Sequence, residues 1–415
     1  MSQLPLHRRE ASHVTDSARA GRKAEPLDIR HLVMAEPVLS RANGVHHVAG
    51  NMVREQIRRG HRARIVFLRR EDGEAGLTGW DIPVDAHTID GPRIGRHVVK
   101  LAAPIVNALT GDATDQTIVH IHGGRFPMLR LLCGELKRRR IRYAITIHGR
   151  YSHIYDEGLN VLNRRSALYL SLVEKPVLEG AHFVQAVTEH EAGLIRQVAD
   201  YARVVVVGHA AYSTAFGGIL ARPGRLSPSG SYPTFAFCGR YAVKHKGLDL
   251  LLEGFAQYVR RGGSGRLALA GTGEGRSALQ EMVDALGLAD RVAIGGPLFG
   301  PEKVDAMRGW DYFVQVSRFD VLPTGALEAA LEGIPLIVSR ATGLGEIVQG
   351  ADGGFVVGDL TAEAVGEALG QAERVPARDW ITLSHRVHDM MVRAGDWTDV
   401  ALRIEALYRS SGPVS

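Results

Sequence analysis

The stretch "IRHLVMAEPVLSRANGVHHVAGNMVREQIRRGHRARIVFL" (residues 29–68) contains the pattern that decides the fold. A short apolar run opens the stretch, an amphipathic run follows, and a second apolar run closes it. In the amphipathic run the apolar residues recur at helical spacing, Asn43 can cap the helix and Gly60 can end it. Those apolar residues are Val45, Val48, Ala49, Met52, Val53 and Ile57. The stretch therefore predicts a strand, a helix and a second strand.

The same alternation recurs along the whole chain. Residues 117–150 and 182–209 each contain two apolar runs that flank a helical pattern. A Gly-, Pro- and Ser-rich run follows at 212–233, and the alternation then restarts and continues to residue 357. Strands that alternate with helices predict parallel, doubly wound sheets. The chain is therefore expected to be α/β, with two Rossmann-like domains that face each other across a cleft.

The domain boundaries follow from these changes of pattern. We expect a disordered tail (1–27), a first domain (28–211), a linker (212–233), a second domain (234–395) and a last helix (396–415) that can pack back on the first domain. At 415 residues the chain exceeds what one core usually organises. Ligands of open α/β sheets bind at the carboxyl ends of the strands, so the cleft is the expected site.

Composition limits the classes of function. A net charge of +5 suits an anionic ligand or an acidic membrane surface, but it is too small to indicate nucleic acid. The N-terminus lacks the apolar segment of a secretory signal, and no apolar run approaches the ~20 residues that span a bilayer. The two cysteines, Cys133 and Cys238, lie in apolar surroundings and are interpreted as reduced. A cytoplasmic protein is expected, at most peripheral to the inner face of the membrane.

Two cations bracket a tight loop in "GRYAVKHKGLDLLLEGF" (239–255). Arg240 lies where a strand is predicted to end, and Lys246 lies where a helix is predicted to begin. A helix start offers free N–H groups and partial positive charge, so this loop could hold phosphate. Taken alone, two solvated surface cations explain the pattern equally well.

A second stretch, "SRFDVLPTGALEAALEGIPLIVS" (317–339), favours the binding interpretation. Asp320 lies at the end of a strand, and Glu328 lies eight residues later inside the next helix. Pro323 suits the first helical position, and Thr324 and Gly325 present free N–H groups there. Glu328 has apolar neighbours on both sides, so it needs partners, and a carboxylate can accept two hydrogen bonds from a ribose diol.

These two stretches, together with 267–296 and 342–357, resemble the retaining GT-B glycosyltransferases of family four, also called glycosyl transferases group 1. The resemblance is strong over 235–357 and looser over 28–210. It implies that Arg240 and Lys246 bind the diphosphate of a nucleotide-sugar and that Glu328 binds the ribose. Asp320 stands where the family usually has Glu, at the start of its E-x7-E signature, and would lie near the donor sugar. The full donor-binding set that it implies is Gly44, Gly239, Arg240, Lys246, Gly271, Gly273, Gly296, Thr324, Gly325 and Glu328.

The first half supplies histidines for the reacting centre. His120, His122 and His148 are all predicted near the carboxyl ends of strands. The segment "ITIHGRY" (145–151) resembles the family segment whose His lies beside the donor sugar, which makes His148 the candidate. His120 and His122 are candidates for the acceptor or sugar side, and histidines merely hydrogen-bonded at strand ends are the alternative. The expected catalytic set is His148, Asp320, Arg240 and Lys246.

The resemblance implies transfer of a hexosyl group with retention, without a metal and without a cofactor other than the donor, a UDP- or GDP-sugar being favoured. The acceptor would be a hydroxyl of a glycan, a lipid-linked sugar or a small molecule, in bacterial polysaccharide or glycolipid assembly.

Two alternatives stay open. Asp320, Asn43 and His209 depart from the family pattern, which would fit a catalytically lapsed protein that binds nucleotide-sugars. The G-x-G at Gly271 would fit an NAD-dependent oxidoreductase, but the third Gly is missing at the required spacing.

Overall fold

The structure is a computed structural model that describes residues 25–35, 37, 44–69, 79–89, 93–94, 97–98, 101–151, 164–210 and 232–411. Most of the expected tail and of the expected linker, and Asn43, lie outside the described residues. Leu27 was assigned to the tail, but it is buried, and its carbonyl accepts a hydrogen bond of 2.9 Å from Arg62 N. The tail boundary at 27 was therefore wrong, because Leu27 packs in the core of the first domain.

The first half forms one seven-stranded sheet with helices on it. The strands of the first half, in that sheet or in a separate pair, are β1 (Asp28–Val33), β2 (Arg62–Arg69), β3 (Val84–Thr88), β4 (Arg93–Ile94), β5 (His97–Val98), β6 (Thr117–His122), β7 (Arg142–Thr146), β8 (Phe183–Ala186) and β9 (Val204–Val206). Its helices are α1 (Gly44–Arg58), α2 (Ala103–Thr110), α3 (Met128–Arg138), α4 (Arg164–Tyr169), α5 (Lys175–Glu179) and α6 (Glu189–Val198). A π-helical turn, Leu170–Glu174, joins α4 to α5. The sheet order is β3-β2-β1-β6-β7-β8-β9, and β4 and β5 form a separate antiparallel pair.

The second half forms a six-stranded sheet. Its strands are β10 (Thr234–Arg240), β11 (Arg266–Thr272), β12 (Val292–Ile294), β13 (Tyr312–Gln315), β14 (Leu336–Ser339) and β15 (Gly354–Val357), in the order β12-β11-β10-β13-β14-β15. Its helices are α7 (Val243–Lys246), α8 (Leu248–Arg260), α9 (Arg276–Ala285), α10 (Gly300–Met307), α11 (Thr324–Leu331), α12 (Gly345–Ala351), α13 (Ala362–Glu373) and α14 (Ala377–Ala394).

The pairings within the two large sheets are parallel, which confirms the predicted α/β, doubly wound fold. Strand order reverses between β1 and β6 in the first sheet and between β10 and β13 in the second. Such reversals leave a crevice at the carboxyl ends of the strands, because the connections on its two sides run in opposite directions. The two crevices position the candidate site. No helix in the described part of the chain is both long and apolar enough to cross a membrane.

The last helix, α15 (Trp397–Arg409), lies on the first domain although it follows the second. Trp397, Val400, Ile404 and Tyr408 are buried in the core that also contains Ile29, Val53 and Ile65. At the helix surface, Glu405 accepts a hydrogen bond of 2.6 Å from Arg59. The first domain is therefore completed by residues from the far end of the sequence.

Candidate functional site

A cavity of about 1200 Å³ lies where the carboxyl ends of the two sheets meet. The first domain contributes the residues that follow β1 and β6, such as Met34 and Gly123. The second domain contributes the end of β10 and the loop before α11. Polar and charged side chains from both halves therefore line one cavity, as a site for a sizeable polar ligand requires.

Arg240 and Lys246 both line this cavity. Arg240 is the last residue of β10 and is exposed. Lys246 ends the four-residue turn α7 and directly precedes Gly247, the N-cap of α8, so it lies at a helix start as predicted. Gly247 follows it with φ of 65°, and a Cβ there would lie 1.9 Å from the carbonyl oxygen of Val316. The glycine thus permits the close approach that directs Lys246 into the cavity.

Asp320 is the ion-pair partner of Lys246. The side chain of Lys246 is only 14% exposed and that of Asp320 only 16%. Ser317 Oγ lies 3.2 Å from the same carboxylate oxygen, and Gln315 Nε2 lies 3.4 Å from it. The predicted catalytic carboxylate is therefore held by one cation and two neutral polar groups at the edge of the cavity.

Helix α11 begins in the cavity wall. Thr324 is its first residue and Pro323 caps it, so Pro323 lies one position earlier than predicted. Gly325 packs tightly, since a Cβ there would lie 2.7 Å from the carbonyl oxygen of Cys238. The first N–H groups of a helix have no partner within the helix, so this start can bind an anion.

Glu328 also lines the cavity and forms an ion pair with Lys303 of α10. The side chain of Lys303 is 19% exposed, and that of Glu328 is 32% exposed. Sequence reasoning foresaw that Glu328 needs a partner but missed Lys303, because "GPEKVDAM" (300–307) looks like any charged surface helix. Lys303 thus joins Arg240 and Lys246 as a cation on the second-domain side of the cavity.

The glycines predicted to bind the donor fall into two groups, those that line the cavity and those that do not. Gly44, Gly239 and Gly271 line the cavity. A Cβ on Gly271 would lie 1.9 Å from the carbonyl oxygen of Gly239, so these two strand ends can pack only without a side chain. Gly273 and Gly296 are not among the residues that line it. The loops 271–274 and 294–296 therefore reach the cavity only at Gly271.

The histidines of the first domain also fall into two groups, those that line the cavity and those that do not. His122 and His148 line the cavity, and so does His209. His120 does not, because its ring is fully buried inside the first domain, where its nitrogens contact Tyr408 and Thr146. The prediction that His120 faces the cleft was therefore wrong: its position in β6 directs the ring into the core.

Behind the cavity wall, buried polar side chains form a continuous set of contacts. The set consists of two hydrogen-bonded runs that stack on each other through the rings of His31, His120 and His122, and we call it the histidine network. One run is Gln185, Thr146, His120 and Tyr408, and the other is Gln56, His31, His122 and His148. His31, His120 and His122 each present a nitrogen within 4.8 Å of the others, the spacing of a metal site. All six ring nitrogens of these three residues are, however, engaged by side-chain hydrogen bonds. We therefore describe the set as a hydrogen-bond network.

Arg125 and Arg150 add positive charge on the first-domain side of the cavity. Arg125 has φ of 63°, and its N–H donates to Glu174 Oε1 over 3.0 Å. The Arg150 guanidinium lies 5.4 Å from the centre of the Phe126 ring. Burial lowers the pKa of Arg150, and the charge of Arg125 lowers it further. Sequence reasoning missed both residues, because an Arg beside a strand end carries no distinctive pattern.

Comparison with known proteins decides the family. Residues 43–210 match the model of the glycosyl transferase 4-like domain, and residues 232–373 match that of glycosyl transferases group 1. The chain belongs to the group 1 family of glycosyl transferases. The two matched ranges correspond to the two domains, and the second contains Arg240, Lys246, Asp320 and Glu328. The family assignment gives the NAD-dependent alternative no support.

Relatives of this group 1 family chain are moderately similar to it. Mannosylfructose-phosphate synthase of Agrobacterium fabrum is 37% identical over 114 residues, which are 26% of this chain and 25% of that protein. 2-Deoxystreptamine N-acetyl-D-glucosaminyltransferase of Streptomyces fradiae is 26% identical over 293 residues, 67% of this chain and 68% of that protein. The chain thus spans a quarter of the first relative and about two thirds of the second.

HepE of Anabaena, solved in complex with UDP and glucose, resembles the whole fold. The TM-score is 0.68 at 15% sequence identity, and the match covers 92% of this chain and 98% of that chain. At this identity the likeness concerns the fold alone, which is GT-B.

Proposed function

We propose that this protein is a retaining glycosyltransferase that moves a hexosyl group from a nucleoside-diphosphate sugar to a hydroxyl acceptor without a bound metal. The observation that carries the proposal is the convergence of Arg240, Lys246, the start of α11 and Glu328 on one cavity. Cations and free N–H groups suit a diphosphate, and a carboxylate suits a ribose diol. The family assignment and the UDP complex of HepE support this choice of ligand.

In this proposal, Arg240 and Lys246 bind the diphosphate, and the first N–H groups of α11 contact it through Thr324 and Gly325. Glu328 accepts hydrogen bonds from the ribose, with Lys303 holding the carboxylate in place. The cations neutralise the charge that develops on the leaving diphosphate, which is the stabilisation that a metal would otherwise give. A UDP- or GDP-sugar is the favoured donor.

The transfer step breaks the bond between the anomeric carbon and the phosphate oxygen. The acceptor hydroxyl attacks the same face through an oxocarbenium-like state, and its proton passes to the departing phosphate oxygen. Asp320 and His148 line the cavity where the sugar would lie. Closure of the two domains on the substrates would exclude water and limit hydrolysis.

The acceptor is proposed to be a hydroxyl-bearing glycan, lipid-linked sugar or small molecule, in polysaccharide or glycolipid assembly at or near the inner face of the membrane. Arg125 and Arg150 line the first-domain wall and would face it. Their charge suits an acceptor that itself carries an anionic group.

Donor hydrolysis tests the proposal without a known acceptor. Purified protein is incubated with UDP-glucose, UDP-N-acetylglucosamine or GDP-mannose in the presence of EDTA, and release of the nucleoside diphosphate is measured. We expect slow release from one donor that EDTA does not change. Proton NMR of the freshly released sugar should show the anomeric configuration of the donor, as retention requires. Inversion, or a dependence on added metal, would overturn those parts of the proposal.

A catalytically lapsed, nucleotide-sugar-binding protein is the second candidate, and the specific observation for it is the shorter Asp320 at the position of the family's Glu. The same experiment separates the two. Tight donor binding with no release from any donor, with or without acceptor sugars, would favour the lapsed protein.

A further inference from the structure

The two loops that carry Lys246 and Asp320 are joined by Arg318. Arg318 lies in the loop between β13 and α11, two residues before Asp320. Its N–H donates to the carbonyl oxygen of His245 over 3.0 Å, and its Nη1 donates to that of Lys244 over 2.8 Å. Both acceptors belong to the turn α7, which ends at Lys246. The backbone and the side chain of Arg318 therefore hold the same turn.

A buried carboxylate fixes the guanidinium of Arg318. Its Nη1 donates to Asp249 Oδ1 over 2.7 Å, and its Nη2 donates to Asp249 Oδ2 over 3.0 Å. Asp249 lies in the first turn of α8, and its side chain is only 6% exposed. Burial alone would raise the pKa of Asp249, but hydrogen bonds from Arg318 and Lys244 lower it below its usual value. Such a two-point contact between ions is strong and specifies the orientation of both partners, and we call Arg318 and Asp249 the arginine clamp.

The arginine clamp lies behind the cavity wall. Arg318 and Asp249 are not among the described residues that line the cavity. Residues close to them in both loops do line it, namely His245, Lys246 and Asp320. On the cavity side, the ion pair of Lys246 and Asp320 joins the same two loops. The loops therefore have one contact in front, in the cavity wall, and a second contact behind it.

The front contact is the one that a bound diphosphate would break. A diphosphate that binds Lys246 takes the ammonium away from Asp320, so the ion pair no longer joins the loops. The arginine clamp lies outside the cavity, so the ligand does not compete for it. The rear contact alone then holds the turn α7 against the loop of Asp320.

We propose that Arg318 and Asp249 are positioning residues that keep Lys246 directed at the diphosphate after it has left Asp320. They act through the turn α7, to which Arg318 is bonded on the side away from the cavity. The diphosphate part of this inference rests on the proposed function, whereas the joining of the two loops does not.

The first test measures binding of UDP and GDP to Arg318→Met by isothermal titration calorimetry. If the variant keeps Lys246 in its binding position about a tenth of the time and otherwise binds as weakly as Lys246→Met, Kd rises about eightfold. Lys246→Met should raise Kd roughly 30-fold in the wild type, as expected for a charged hydrogen bond. In Arg318→Met the same substitution should raise Kd only about fourfold, because the two residues act through one arrangement. An equal effect of Lys246→Met in both backgrounds would overturn the inference.

Two matched variants separate positioning from a general loss of stability. Lys244→Met removes the second cation from Asp249, where Lys244 Nζ lies 2.7 Å from Oδ2, but it keeps the hydrogen bonds of Arg318. Arg291→Met removes a guanidinium that donates to two backbone carbonyls, over 2.8 and 3.2 Å, at the amino ends of the strands and away from the cavity. Both variants should bind nucleotide as the wild type does. A loss of affinity in them equal to that in Arg318→Met would contradict the inference.

A test without nucleotide uses the ion pair of Lys246 and Asp320. The coupling free energy of the pair is obtained from urea unfolding of Lys246→Met, Asp320→Asn and the double variant. We expect a favourable coupling in the wild type and its loss in Arg318→Met, because the two loops are then no longer held together from behind. A coupling that is absent from the wild type, or that Arg318→Met leaves unchanged, would contradict the inference. If the wild type binds no nucleotide, the proposed function fails while this coupling still tests the arginine clamp.

Arg318→Lys covers the case in which Arg318→Met does not fold. The ammonium keeps the charge beside Asp249, but it cannot reproduce the planar two-point contact while it also donates to the carbonyl of Lys244. We expect Kd for nucleotide to rise about threefold, as for a binding position held a third of the time, and the coupling of Lys246 and Asp320 to weaken. A variant that matches the wild type in both measurements would overturn the inference.

Discussion

Lys246→Met tests the donor site at its most informative residue. Lys246 pairs with Asp320, and their side chains are 14% and 16% exposed, respectively, at the cavity edge. A hydrogen bond to a charged group contributes about 1.5–3 kcal/mol. In the wild type, part of this free energy is offset because Lys246 must leave Asp320 to bind a diphosphate. In the variant, Asp320 stays unpaired near the phosphates, and its repulsion weakens binding further. We take about 2 kcal/mol, or roughly 30-fold in Kd.

Thermal unfolding with UDP and GDP measures this effect. At a nucleotide concentration 100 times Kd, the wild type gains about 2.7 kcal/mol of stability. A 30-fold weaker Kd at the same concentration reduces the gain to about 0.9 kcal/mol. Isothermal titration calorimetry should give the same ratio of Kd values. Without nucleotide, the melting temperature of the variant should fall only by the amount expected for loss of a partly buried ion pair.

Lys244→Met is the matched control. Lys244 lies two residues earlier in the same turn, pairs with Asp249 at 2.7 Å and is 82% exposed. It is not among the residues that line the cavity. The control should keep the full nucleotide effect. An undiminished gain in Lys246→Met, or an equal loss in both variants, would refute the assignment of Lys246 to the diphosphate.

Three further predictions concern turnover, pH and backbone strain. Asp320→Glu extends the carboxylate by one methylene toward the sugar. It should raise donor turnover severalfold and leave the affinity for the nucleotide unchanged. Turnover that stays at zero would point to a lapsed enzyme. Burial alone would raise the pKa of Glu405, but hydrogen bonds from two arginines and a histidine lower it from 4.5 to about 2. Its stabilising effect is therefore complete above about pH 4.5 and is lost as the pH falls toward 2, so Glu405→Gln should flatten the dependence of the melting temperature on pH between 5 and 3. Gly247→Ala should lower the free energy of unfolding in urea by more than about 1 kcal/mol, while Gly287→Ala, at a similar φ of 68° but with open space around it, should cost less.

The order of elements and the binding motifs could be predicted because both are local in sequence. Alternating apolar and amphipathic runs identified the two sheets. Arg240 and Asp320 were placed near the cavity because each was predicted at a strand end, and Glu328 because it lies in the helix that follows Asp320. Lys246 was placed correctly before α8, but the turn α7 was missed, since a four-residue turn and a left-handed glycine leave no periodic signal. Local pattern thus locates a site without giving its detailed geometry.

Contacts between distant parts of the chain could not be predicted in this way. Lys303 and Glu328 meet only because α10 and α11 face the same cavity. His120 looked like a cleft residue until the sheet showed that its ring lies inside the domain, against Tyr408, which is 288 residues away. Such pairs depend on the packing of whole elements, and a single sequence contains no signal for them.

The position of α15 also has a consequence for synthesis of the protein. The core of the first domain contains Trp397, Ile404 and Tyr408, so that core is incomplete when residue 210 has been made. At about 5–20 residues per second the ribosome needs roughly 10–40 s more to reach them. During that interval the apolar groove for α15 is open while the second domain, which ends with α14, is still being made. The domain made first is therefore the one completed last, and its apolar groove stays exposed until α15 has been made.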